Sequence, residues 1–181
     1  MHINHNKDFI FQPRGFFSIE DMNKTIIQNF NSILTQKDDL YLLGDTIMGH
    51  NIEASLSYIQ SLNTKIHLIW GNHCTESRQK ALMTLPNVIE NCGWASILKY
   101  NKYHFYLSHF PSCTSNFDDY KKPLKQRLLS LSGHTHSKEH FESTFSYNVS
   151  VDAHNNFPVS IEQIIQEFIQ FEWTKVDKNK S

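Results

Sequence analysis

Residues 65–73 read KIHLIWGNH. Ile66, Leu68, Ile69 and Trp70 make a short apolar run that stops at Gly71, and Asn72 and His73 follow at once. An apolar run this short, closed by glycine, reads as a buried strand. The glycine lets the backbone turn sharply and come close to a ligand, so the strand aims the polar pair behind it. His67 lies inside the strand pattern, as does His104 further on, and both read as ordinary strand residues.

The same arrangement stands upstream. In DDLYLLGD (38–45) the run Leu40 to Leu43 ends at Gly44, and Asp45 follows. Between the two runs, NIEASLSYIQSLN (51–63) carries Ile52, Leu56, Ile59 and Leu62 at helical spacing. Before them, Ser18 can cap a helix reaching about Leu34, with Ile19, Met22, Ile26, Ile27, Phe30, Ile33 and Leu34 on its apolar face. The first 17 residues, with Pro13 and Gly15, read as a loop. After the GNH turn, SRQKALMTLP (77–86) is a short helix stopped before Pro86.

The second half is richer in strands. YHFYLSH (103–109) and LLSLSGHTH (128–136) each end in histidine, and TFSYNVSVDAH (144–154) is a third strand. SIEQIIQEFIQ (160–170) is a late helix in which Ser160 and Gln163 fit a capping box. Residues 175–181 read as a frayed polar tail of a single domain, 1–181. Strand and helix alternate first and strands dominate later, which points to a layered α/β domain.

Bulk composition narrows the function. The hydrophobic fraction is 39% and the charged fraction 19%, so the chain is globular rather than disordered. A net charge of -1 supplies no global field for nucleic acid. No run approaches the ~20 apolar residues of a membrane span, and no signal peptide is visible. Cys74, Cys92 and Cys113 are widely spaced and odd in number, which suits reduced thiols and a cytoplasmic setting. The 11 histidines are many for this length and hint at a metal site.

Polar residues gather where buried strands end: Asp45, Asn72 with His73, His109, and His134 with His136. Ligands bind at such strand-end loops in α/β sheets. The chain also opens MHINH, with His2 and His5 ahead of any regular element.

The ordered set GD (44–45), GNH (71–73), His109 and GHTH (133–136) resembles the calcineurin-like metallophosphoesterase superfamily of small phage and bacterial single-domain members. MHINH then resembles the rest of that family's first motif, D-x-H-x-x-H. NVSVDAHNNFPVSIEQI (148–164) resembles its C-terminal segment, so the likeness covers nearly the whole chain. The resemblance implies a four-layer α/β/β/α sandwich. It implies two divalent transition-metal ions (Mn, Fe, Zn or Ni) and hydrolysis of phosphoesters, as phosphatase or phosphodiesterase, by a metal-activated hydroxide. Asp45 would bridge the ions. His2 and His136 would hold the first, and Asn72, His109 and His134 the second. His73 would be catalytic, meeting the leaving-group or a phosphate oxygen. Asn72 would also face the substrate, and His5 would either approach it or be a plain loop histidine.

The chain departs from the family pattern twice. Cys74 stands where the family carries an acidic residue after GNH, and reads either as a buried neutral side chain or as an oxidisable thiol. The first motif lacks its aspartate, which would lie one residue before Met1, and the strand leading into it. The expectation is therefore a form cut short at the first motif, with a weakened first metal and impaired activity. A small phosphoester is the expected substrate. Two alternatives stand beside it: a nuclease, using the basic cluster Lys121, Lys122, Lys125 and Arg127, and a non-catalytic binding module with an incomplete metal site.

Overall fold

The computed structural model describes residues 1–115 and 119–178. Four helices and three parallel strands come first: α1 (Asp8–Phe11), α2 (Ile19–Ile33), β1 (Asp39–Leu43), α3 (Ile52–Gln60), β2 (Lys65–Ile69), α4 (Glu76–Leu82) and β3 (Val88–Asn91). They build a parallel sheet in the order β1-β2-β3. Parallel neighbours need a crossover, and α3 and α4 supply it. Then come β4 (Ala95–Tyr100), β5 (Tyr103–Ser108), β6 (Leu128–Ser132), β7 (Ser146–Asn148) and α5 (Ile161–Lys178). The second sheet runs β4-β5-β6-β7, with its first pair antiparallel and the other two parallel.

Apart from α1, the helix starts follow side-chain caps. Ser18 Oγ accepts the Asp21 N–H, and the Asn51 and Thr75 side chains accept the N–H groups of Ala54 and Arg78. Ser160 Oγ accepts from Gln163, but the Gln163 amide turns to Glu167, so only half of a capping box forms.

Strand alternation sends β1 and β2 into two cores. Leu40, Leu42, Ile66 and Leu68 point one way, into a cluster with Met22, Ile26 and Phe30 of α2, Ile59 of α3 and Leu82 of α4. Leu43 and Ile69 point the other way and share a second cluster with Phe105, Leu107, Leu129, Leu131 and Tyr147, closed by Ile164, Ile165 and Phe168 of α5. Strands covered on both faces need continuous apolar runs, which is why these two were the clearest in the sequence. Each such buried side chain contributes roughly 1.5–3 kcal/mol.

The structure differs from the sequence reading in several places. The opening loop contains a short helix, α1. Strand β7 covers only Ser146–Asn148, because the chain turns at 151–157. Helix α5 runs to Lys178, past the expected start of the tail at 175. The rest of that tail, 179–181, lies outside the described residues. Strands β3 and β4 had no apolar run to betray them: β3 is exposed after Val88, and β4 is half-exposed throughout. The β4–β5 hairpin turns on Asn101 and Lys102, both at positive φ, rather than on an Asn-Gly pair. Among the described residues, no helix is long and apolar enough to cross a membrane.

Candidate metal centre

The loops after β1, β2, β5 and β6 meet the opening residues at one place. Gly44 has φ +82°, and a Cβ on it would stand 2.9 Å from the Gly71 Cα. A Cβ on Gly71 would stand 2.8 Å from the Asp45 nitrogen and 2.9 Å from the His109 Cγ. Only glycine at both positions lets the first two loops and His109 close on one another. Asp45 itself is left-handed, at φ +43°, as is His2 at +64°. Non-glycine residues are rarely held there, and such strain collects at functional sites.

Asp45 is buried at the centre. Its Oδ2 lies 3.1 Å from His109 Nε2 and 3.3 Å from His2 Nε2, and its Oδ1 accepts the His73 N–H at 2.9 Å. Burial pushes the carboxyl up, but the hydrogen bonds of His109, His2 and the His73 backbone outweigh it. Asp45 is held well below the usual carboxylate range.

The tautomer of His109 is decided by its second nitrogen. Nδ1 lies 2.9 Å from the Leu43 carbonyl, which can only accept, so Nδ1 carries the proton. A metal-binding ring then presents Nε2 as a lone pair, in place of the N–H that otherwise donates to Asp45 Oδ2. Nε2 faces Asn72 Oδ1 at 2.9 Å, Asp45 Oδ2 at 3.1 Å and His134 Nδ1 at 3.0 Å. Asp45, His109 and His134 each offer a ligand atom, all within 4.8 Å of one another. Burial and the neighbouring His109 lower the His134 pKa, so that ring too favours the neutral form that binds metals.

His2 and His136 form the other side, with ring centroids 4.8 Å apart. The opening loop is pinned rather than frayed. The N–H groups of His2 and Ile3 donate to the Asp45 and Thr46 carbonyls, and Asn4 is locked to Asn23 and Ser55. Burial pulls the His2 pKa down to about 3. His136 Nδ1 lies 3.1 Å from Asp152 Oδ2, which leaves its Nε2 available. His5 touches His2, at 3.1 Å between their Nδ1 atoms. The side chains of Asn72 and His73 are exposed, and the His73 ring centre is 6.3 Å from that of His2. Cys74 is buried in the first core, where its sulfur accepts the Gly71 N–H at 3.2 Å.

Three residues outside the expected ligand set support the centre. Arg14 clamps Asp152 with two bonds of 2.9 Å, both side chains being buried, and also donates to the Met1 carbonyl. His136 and Arg14 hold Asp152 below the usual carboxylate range against its burial. Glu142 accepts from Ser132, Thr135 and Ser146 and so fixes the loop carrying His134 and His136. Arg14 and Asp152 are 138 residues apart, and nothing in linear spacing links them. The basic cluster is largely neutralised. Arg127 is buried against Glu172, Lys122 pairs with Asp119, and Lys125 lies over the Tyr103 ring.

Uncharacterized protein MJ1445 of Methanocaldococcus jannaschii is 32% identical over 174 residues, covering 91% of this chain and 85% of that protein. This chain belongs to the family of that archaeal protein. No family model matches. The fold is similar to the crystal structure of AQ665, a protein of unknown function from Aquifex aeolicus. There the TM-score is 0.67 at 20% identity, over 91% of this chain and 94% of that one.

Proposed function

We propose that this chain is a metal-dependent phosphoester hydrolase of the calcineurin-like metallophosphoesterase superfamily. It would act in the cytoplasm on a small phosphoester, on a four-layer α/β/β/α scaffold. The observation that carries the reading is the convergence on His109 Nε2. In the tautomer whose Nδ1–H is held by Leu43, lone pairs of an imidazole, a carboxylate and an amide oxygen meet within hydrogen-bond distance. Such a group of acceptors is satisfied by cations.

The donor set fits two divalent ions. Asp45, Asn72, His109 and His134 would hold one, and Asp45, His2 and His136 the other. Nitrogen and oxygen donors without sulfur suit Mn, Fe, Zn or Ni. The ions would supply Lewis acidity and an acidified water at neutral pH. The protein's part is orientation. Leu43 and Asp152 each take the second N–H of a ligand histidine and fix its tautomer. The exposed His73 can donate a proton to the leaving oxygen, and Asn72 and His5 line the approach.

The binding-module reading keeps one supporting observation: the tightest acceptor group is Asp45, His109 and His134, on the second-ion side alone. One experiment separates the readings. The chain is loaded with Mn, metal content is measured, and hydrolysis of a chromogenic phosphomonoester and phosphodiester is followed. Hydrolysis that vanishes in Asp45→Asn together with metal supports the enzyme. Bound metal without hydrolysis of either ester refutes it in favour of the module.

A further inference from the structure

A second group of metal-ligating side chains lies away from this centre. His67 on β2, Glu90 on β3 and Cys92 just past β3 each offer one ligand atom, all within 4.8 Å of one another. They share the sheet face that carries Tyr41 and Ile69. His67 stands inside β2, two residues before its end, while Asn72 lies in the turn beyond it.

Three features of this group go beyond chance proximity. First, β3 is bulged. Ile66 pairs with Val88, but His67 pairs with Glu90, so Ile89 is skipped. In regular register Ile89 would stand opposite His67. The bulge puts a carboxylate there instead and leaves Ile89 half-exposed. Bulges re-aim side chains in this way.

Second, His67 is nearly buried and has a carboxylate on each nitrogen. Nδ1 is 2.5 Å from Glu90 Oε2, and Nε2 is 3.0 Å from Asp39 Oδ1. A neutral imidazole has one N–H and can satisfy one of the two. The other contact needs either a second proton or a cation. Third, Tyr41 stacks on the His67 ring at 4.4 Å and 14°, which fixes its plane.

We propose that His67 Nδ1, Glu90 and Cys92 form a mononuclear zinc site, with Asp39 orienting His67 through its Nε2–H. A ligand histidine whose other N–H is held by a carboxylate is the usual arrangement in zinc sites. Three protein ligands leave a fourth position for water. Tetrahedral ligand atoms at zinc distances stand ~3.3–3.8 Å apart. Glu90 is exposed and Cys92 half-buried, so rotation of these two side chains closes the gap. On binding, the Cys92 sulfur donates an electron pair to the ion and its proton leaves to solvent, with no redox change. The site would tie β2 to the edge strand β3. It is independent of the phosphoesterase reading.

The test uses the full chain, freed of metal by a chelator and titrated with Co²⁺, then competed with Zn²⁺. A thiolate-to-cobalt charge-transfer band in the near ultraviolet is expected, and zinc should remove it. The band should vanish in Cys92→Ser but remain in Cys74→Ser and Cys113→Ser. It should also remain in Asp45→Asn, which disables the other centre. Glu90→Gln, at an exposed side chain, should weaken binding even if Cys92→Ser folds poorly. Asp39→Asn should weaken it by ~10–100-fold. No band at saturating Co²⁺, or a band that survives Cys92→Ser, overturns the proposal.

Discussion

Replacing Arg14 by methionine should destabilise the metal-free protein by about 3–5 kcal/mol, the usual cost of removing one partner from a buried ion pair. The side chains of Arg14 and Asp152 are 2% and 7% exposed, so water cannot take over the carboxylate when the guanidinium goes. The Arg14→Met chain is nearly as long and fills the space, so packing loss is small. Asp152 keeps His136, at 3.1 Å, which places the cost toward the lower end of the range. A domain of this size loses roughly 2–4 °C of melting midpoint per kcal/mol, so a fall of roughly 6–20 °C is expected. The assay is urea denaturation of the full chain in chelator, because bound metal would add stability of its own. The double variant Arg14→Met, Asp152→Leu removes both charges and should recover a large part of the loss. A cost below ~1 kcal/mol, the worth of a surface pair, would refute the buried-strut account. So would a double variant no more stable than Arg14→Met.

Three further outcomes follow from the same geometry. His73→Ala should keep the bound metal, because only the backbone N–H of His73 touches Asp45, yet slow hydrolysis by ~10²–10⁴-fold; metal analysis beside turnover checks this. Gly71→Ala should cost ~1–3 kcal/mol and weaken metal binding, since its Cβ meets the Asp45 backbone and His109; denaturation and metal titration read the two effects. Acid should destabilise the metal-free chain from about pH 6.5 downward. Burial lowers the pKa of His2, to about 3, and of His154, so below ~6.5 the unfolded chain binds protons that the folded one does not. Asp45 and Asp152 act in the same sense at lower pH, because their depressed values add stability that is lost as the folded carboxylates protonate. A denaturation midpoint that stays flat between pH 7 and 4 would contradict the buried, neutral state of these histidines.

Local pattern alone determined the elements whose identity rests on neighbours in the chain. The continuous runs at 40–43 and 66–70 had to be strands buried on both faces, and Ser18 had to start a helix, because period and cap are local properties. Polar residues at the ends of apolar strands, after glycine at Asp45, Asn72 and His134, placed these together with His109 and His136 as one candidate set by the same logic. Strands β3 and β4 escaped because an edge strand buries little, so its residues need not be apolar. Only the tertiary structure could join Arg14 to Asp152 or aim Glu142 at the loop of His134 and His136, since a charge pair spanning most of the chain leaves no spacing to read. The same holds for His67, which looks like any residue in a strand. Its two carboxylates come from neighbouring strands, and one is brought opposite it by a single-residue bulge that no local pattern records.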